Sequence, residues 1–219
     1  MKSAFGLQNQ KCSATSRVYV HKSVAKQFID ALVAKTEKLV IGDPSERDVY
    51  FGPVINEASV VRYERAVAQA KSEGAVILGG TRLTRGAQAK GHYVSPAIAT
   101  LPLGSSLFRT ELFAPFLAIG EVSSFEEAIA ESNKTEYGLT AGIYSGSEDE
   151  VARFFDEIEA GVCYANKRTG ATTGAWPGAQ AFTGWKGSGS SGKGGCGPYY
   201  VMQFMREQSR TTIHAPVEE

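Results

Sequence analysis

Short β-branched runs alternate with stretches of helical apolar spacing along most of this chain, which confines it to folds built from strand–helix–strand units. Arg17-Val18-Tyr19-Val20 reads as a strand. Ser23 then opens a helix whose apolar positions Val24, Phe28, Leu32 and Leu39 share one face, and Gly42-Asp43-Pro44 ends it. Asn56 is suited to cap a second helix running to about Glu73, with Val60, Tyr63, Val67 and Ala70 inward and Gly74 as its stop. Ala75-Val76-Ile77-Leu78 reads as a buried strand and Phe116–Val122 as another. Ser124 and Glu127 have capping-box spacing and start a helix to about Asn133; Ser147 and Glu150 repeat it for a helix predicted to end at Gly161. Residues 139–144 and Val162–Ala165 supply two more strands. Such units make right-handed crossovers, so the expectation is an α/β fold: a mainly parallel sheet with helices on both faces, and ligands at the carboxyl edges of the strands. Residues 166–197 follow such an edge. No repeat or linker divides the chain, which reads as one domain, residues 1–206, with a short C-terminal tail, residues 207–219.

With 219 residues, the chain is long enough to bury a core without disulfide or metal staples. Its 23 basic and 23 acidic residues cancel, leaving no overall field for nucleic acid or an acidic membrane. No apolar run approaches the roughly 18 residues of a membrane span, and the first seven residues are too polar for a signal peptide. Three cysteines, an odd number, point to free thiols in a reducing compartment. The expectation is a cytoplasmic protein, or one of the mitochondrial matrix if a parent chain carries a transit peptide.

Glycine is over-represented, with 24 residues where a usual share of roughly 7% would give about 15. Ten lie in residues 170–197, inside a stretch that has no Asp or Glu from Ala160 to Arg206 but carries Lys167, Arg168, Lys186, Lys193 and Arg206. Two readings compete: a mobile solvated loop, or backbone amides and cations closing around an anion. Gly187-Ser188-Gly189-Ser190-Ser191-Gly192-Lys193 has P-loop spacing, but Gly194 replaces the magnesium-ligating Ser or Thr and no apolar strand precedes it, so a nucleoside-triphosphatase is set aside.

Among the cysteines, Cys163 sits in an apolar strand as a small core residue, and Cys196, between Gly195 and Gly197, fills space. Cys12 differs. Its neighbours Gln8, Asn9, Gln10, Lys11, Ser13, Thr15 and Ser16 offer amide and cationic company that favours a thiolate. A nucleophile and an ordinary cysteine entering a strand both remain open on composition. His21, His92 and His214 are scattered and form no metal cluster or triad order.

Gln10-Lys11-Cys12-Ser13-Ala14-Thr15-Ser16-Arg17 resembles the nucleophile segment of aldehyde dehydrogenases. Glu111-Leu112-Phe113-Ala114-Pro115-Phe116 is similar to their cofactor-contacting Glu-x-Phe-Gly-Pro motif, and Gly52-Pro53-Val54-Ile55 is a further landmark in the same order. The likeness runs from about Ser3 to Ile213 and corresponds to the second, catalytic half of that family. Asn166-Lys167-Arg168-Thr169-Gly170-Ala171, Gln180-Ala181-Phe182 and Gly184-Trp185-Lys186-Gly187-Ser188-Gly189 look most like its 1-pyrroline-5-carboxylate dehydrogenase branch, which oxidises L-glutamate γ-semialdehyde to glutamate with NAD.

The resemblance implies Cys12 as nucleophile, Glu111 on the nicotinamide ribose of NAD and Phe113 beside the nicotinamide ring. It implies Ser13, Gly170 and Ala171 on the substrate α-carboxylate, Phe182 along the substrate's aliphatic part, and no metal. Ala114 stands where the family has glycine; Ala181 and Thr183 replace Pro and Gly of its Gln-Pro-Phe-Gly-Gly stretch. The family's dinucleotide-binding half, general-base glutamate and oxyanion asparagine lie upstream of the nucleophile. The expectation is therefore a truncated catalytic domain, inactive alone, with a small aldehyde as substrate and either the missing half or further copies of itself as partner. Glu207 to Ile213 resembles a segment that lies against a neighbouring subunit as a strand, so a non-catalytic association module is the alternative. An aldehyde dehydrogenase of different substrate preference is another.

Overall fold

Every residue of the strand Phe116–Val122 except Glu121 is buried, which happens only when both faces of a sheet are covered. In the computed structural model, which describes residues 1–167, 180–190 and 193–214, this strand is central to a four-stranded sheet. In chain order the elements are α1 (Lys2–Phe5), β1 (Arg17–His21), α2 (Lys22–Thr36), α3 (Glu57–Glu73), β2 (Ala75–Leu78), β3 (Ala97–Thr100), β4 (Phe116–Val122), α4 (Phe125–Asn133), β5 (Tyr137–Gly138), β6 (Thr140–Ile143), α5 (Glu148–Glu157), β7 (Val162–Ala165) and β8 (Trp185–Lys186). The main sheet has the order β1-β4-β3-β2. The β1–β4 and β3–β4 pairs are parallel, and β2 runs antiparallel to β3 at the edge. A parallel pair β6–β7 and an antiparallel pair β5–β8 complete the strands.

The two-residue period of a strand sorts its side chains between two cores. Ala97, Ala99, Phe116 and Ala118 pack on Val60, Tyr63, Val67 and Ala70 of α3. Ile98, Leu117 and Ile119 point the other way, onto Phe5 of α1 and Ala25 and Leu32 of α2. A third core joins Ile129 of α4 and Phe154 of α5 to Ala141, Ile143 and Cys163 of β6 and β7. The expected α/β fold, parallel-dominated with helices on both faces, is what the chain adopts.

The caps were legible: Asn56 accepts from Ser59 N at 2.9 Å, and Ser124 and Ser147 accept from Glu127 N and Glu150 N. Three expectations need correction. On α2, Val24 and Phe28 are exposed, and the inward stripe is Ala25, Ile29, Leu32 and Thr36, one residue over. The helices α2 and α5 stop at Thr36 and Glu157, before the glycine signals. β2 is an edge strand with alternating exposure rather than buried. Residues 205–214 are exposed and outside any helix or strand in the single chain, where the expected strand against a neighbouring subunit would have no partner.

Tyr63 carries a testable consequence of this packing. Its ring is fully buried and its hydroxyl donates to Ser95 O at 2.5 Å. Burial pushes the phenol up to about 12 from 10.0. The unfolded chain ionises Tyr63 near pH 10 while the folded chain holds the proton, so its stabilising contribution is complete below pH 10 and is lost as pH rises toward 12. Two pKa units correspond to about 2–3 kcal/mol. Urea titrations at pH 9 and 11.5 are expected to show a smaller alkaline loss in Tyr63→Phe than in the parent; an equal loss would mean another group carries it.

Candidate active site

The site grows out of residues 1–16. Phe5 is fully buried, and beyond it Leu7, Gln8 and Asn9 lie in the left-handed region at φ 52°, 56° and 58°. Each such non-glycine residue costs about 1–2 kcal/mol, so three in a row persist only where other contacts over-determine them. Asn9, 4% exposed, supplies the main one: its Nδ2 donates to Ala4 O at 2.6 Å and Thr15 O at 2.9 Å, tying both ends of the loop together. Thr15 N donates to Ser3 O at 3.0 Å, and Ile55 N donates to Gln10 Oε1 at 3.2 Å. The last contact explains the Gly52-Pro53-Val54-Ile55 landmark: it walls the loop. Ala14 N then donates to Lys11 O at 3.0 Å, closing a turn with Cys12 and Ser13 at its centre. The turn's hydrogen bond does not use the Cys12 and Ser13 amides. Cys12 is exposed at the tip, and Ser13 beside it is buried.

Sheet pairing brings the second motif alongside. Arg17 pairs with Ala118, and Ala118 N donates to Ser16 O at 3.1 Å. Cys12 and Phe113 each stand five residues before their member of that pair, so both precede the amino ends of adjacent parallel strands. Glu111 is exposed, Leu112 and Ala114 are buried, and Phe113 is half-buried at φ 52°. Leu112 O accepts from Arg62 Nε at 2.6 Å.

At the carboxyl end of the sheet pair β6–β7, the Tyr164 ring rests on Gly142, where a Cβ would fall 2.1 Å from Cε2. Tyr144 Oη donates to Lys167 O at 2.5 Å, and Asn166, at φ 51°, clamps Ser145 through both ends of its amide. The segment carrying Cys12 leads into the amino end of β1, next to that of β4, because Cys12 precedes its strand rather than following it.

Gly170 and Ala171, the expected carboxylate anchor, lie outside the described residues. Phe182 is half-buried, its N–H donating to Gly195 O at 2.7 Å. The described part of the glycine segment is close-packed backbone: a Cβ on Gly184 would meet Ser188 O at 2.3 Å, and one on Gly189 would meet Gly184 O at 2.1 Å. Three of its cations have partners within the chain. Lys186 Nζ donates to Asn133 O at 2.6 Å and pairs with Glu159, and Lys167 and Lys193 lie over the rings of Tyr164 and Tyr199. Cys163 donates to Ala160 O at 3.3 Å, and burial pushes its thiol up, as suits an inert core residue. Among the described residues no group of His, Cys, Asp and Glu could hold a metal, and no helix is long and apolar enough to cross a membrane.

Sequence reading missed Asn9, Arg62, Tyr144 and Tyr164. Only Asn9 left a signal, as an amide amid polar residues just before the cysteine.

Residues 1–209 match the aldehyde dehydrogenase family. The chain belongs to that family. It is 38% identical over 208 residues to 1-pyrroline-5-carboxylate dehydrogenase of Bacillus licheniformis, covering 94% of this chain and 39% of that protein. It is 36% identical over 214 residues to the Bacillus subtilis (strain 168) enzyme of the same name, covering 97% and 40%. A solved 1-pyrroline-5-carboxylate dehydrogenase from Thermus with bound NAD superposes with a TM-score of 0.80 at 33% identity, over 89% of this chain and 36% of that one. A 3,6-anhydro-L-galactose dehydrogenase superposes at 0.85 with 29% identity, over 93% and 42%. The chain therefore spans about two-fifths of the length of the curated relatives it matches.

Proposed function

We propose that this chain is the catalytic portion of an NAD-dependent aldehyde dehydrogenase that oxidises L-glutamate γ-semialdehyde to glutamate. The observation that carries the reading is Cys12: an exposed thiol at the tip of a turn whose strained flank is pinned by Asn9 and Phe5, on a segment that leads into the strand beside the one Glu111–Phe113 leads into. Relatives named for this activity support the substrate.

Cys12 Sγ, as thiolate, attacks the aldehyde carbon; the C=O π bond becomes an alkoxide, and a thiohemiacetal forms on the sulfur. The turn's central amides are placed to donate to that oxyanion. The residues present fit a nicotinamide cofactor: Glu111 offers an exposed carboxylate acceptor for a sugar diol, and Phe113 offers a half-buried aromatic ring on a left-handed backbone. NAD, when bound, supplies the acceptor for the hydride lost from the substrate carbon. Cys12 then holds the acyl group as a thioester, which water cleaves to the carboxylate, returning the thiol. Ser13, with Gly170 and Ala171, is assigned to the substrate's α-carboxylate, and Phe182 to its methylene chain.

A row of exposed apolar side chains, Val201, Phe204, Met205 and Ile213, favours contact with further copies of the chain. If association were the whole function, Cys12 would be dispensable.

The test compares L-glutamate γ-semialdehyde with pentanal, the uncharged aldehyde of the same length, using the protein that carries this chain and NAD. A carboxylate anchored by hydrogen bonds contributes about 1.5–3 kcal/mol, so kcat/KM is expected to favour the semialdehyde by roughly 10- to 100-fold. Equal values would remove the substrate assignment. No NADH from either aldehyde would remove the enzyme.

A further inference from the structure

We propose that Arg62 is a positioning residue that clamps the Leu112–Phe113 peptide and thereby sets where the Phe113 ring stands. Phe113 is the one left-handed residue of the Glu111–Phe116 segment. On its downstream side the backbone is fixed by the sheet: Ala97 N donates to Pro115 O at 2.8 Å, and Phe116 N donates to Ala114 O at 2.6 Å. On its upstream side the peptide plane is set by the direction of the Leu112 carbonyl. Arg62 Nε donates to that oxygen at 2.6 Å, a short charge-assisted bond reaching across fifty positions in sequence. A carbonyl held in that direction leaves the Phe113 φ little room to relax.

The guanidinium is itself aimed. Its Nη2 donates to Ser59 Oγ at 3.1 Å, Ser59 is 2% exposed, and Ser59 Oγ donates to Asn56 Oδ1 at 3.1 Å, the oxygen that caps α3. The cap of α3, the serine one turn on and the arginine after it form one hydrogen-bonded series ending at Leu112 O. Among the described residues Arg62 pairs with no carboxylate, so the carbonyl is its main acceptor. Two acceptors at fixed angles require the planar fork of arginine; a lysine ammonium in its place keeps the charge but loses the geometry. This clamp matters to function through the reading of Phe113 as the nicotinamide contact, on which it rests.

The experiment uses Arg62→Lys and Arg62→Met in the protein that carries this chain. Hydrogen–deuterium exchange of residues 110–116 needs no cofactor, and is expected to speed up about tenfold in both variants while the Cys12 loop is unchanged. The KM for NAD is expected to rise about tenfold with the KM for the aldehyde and the iodoacetamide rate at Cys12 unaltered. Unchanged exchange at residues 110–116 in Arg62→Lys overturns the clamp even if Arg62→Met fails to fold. Faster exchange with an unaltered KM for NAD upholds the clamp and instead overturns the placement of Phe113 at the cofactor.

Discussion

Cys12→Ala is expected to lower NAD-dependent aldehyde oxidation by at least about 10⁴-fold, the order lost when a covalent nucleophile is deleted. Neither the water nor the neighbouring Ser13 hydroxyl can substitute. Ser13 is buried, and an alcohol is a far weaker nucleophile than a thiolate at neutral pH. The same replacement should leave the fold intact within about 0.5 kcal/mol, because the side chain is exposed and fills no core space. Activity and thermal melting measured on one preparation therefore separate chemistry from folding. Cys163→Ala is the matched control: it removes a half-buried sulfur from the third core, so it should cost stability and spare turnover. Retained activity in Cys12→Ala would place the nucleophile elsewhere and undo the mechanism.

Phe5→Ala is expected to cost about 3–5 kcal/mol, the usual range for emptying a buried phenylalanine site. Its ring is fully buried among Val20, Ile98, Leu117 and Ile119, so the cavity would open beneath the main sheet. A loss of that size is a large part of the 5–15 kcal/mol typical of a domain, and denaturant midpoints would report it. The damage should also reach the nucleophile. The carbonyls of Ser3 and Ala4, just before Phe5, accept from Thr15 N and Asn9 Nδ2, the bonds that hold the Cys12 loop shut. Loosening them lets Leu7, Gln8 and Asn9 relax from their left-handed conformations, and kcat should fall at temperatures where the variant is still folded. Leu7→Ala, at an exposed position two residues on, should change stability by less than about 0.5 kcal/mol. If both variants melt alike, the buried ring does not anchor the loop.

Features that depend on contacts within one turn of chain could be read from residue order. Asn56 and Gly74 bound α3 because a side-chain oxygen reaching the amide three residues on, and a residue able to leave the helix, are local chemistry. The inward face of α3 followed too, since Val60, Tyr63, Val67 and Ala70 form its one apolar stripe. On α2 the residue order pointed to Val24 and Phe28, whereas the sheet seats Ala25 with Leu32, and Thr36 is made tolerable inside by donating to Leu32 O at 2.8 Å. β3, as Ala-Ile-Ala-Thr, carries too weak a pattern to announce a strand; its burial comes from lying between β4 and β2.

The candidate site divides the same way. Residue order by itself determined the alternation that makes an α/β fold, the helix caps, and the polar setting that singled out Cys12 from Cys163 and Cys196. Tertiary structure alone decided that the segments carrying Cys12 and Phe113, about a hundred residues apart, lead into adjacent parallel strands. It also decided that Arg62 holds the Leu112 carbonyl, that Asn9 ties Ala4 to Thr15, and that Lys186 pairs with Glu159. The physical reason is reach. A cap or turn is satisfied by atoms a few bonds away and so leaves its mark in spacing, whereas a backbone carbonyl such as Leu112 O accepts whatever donor the packing delivers.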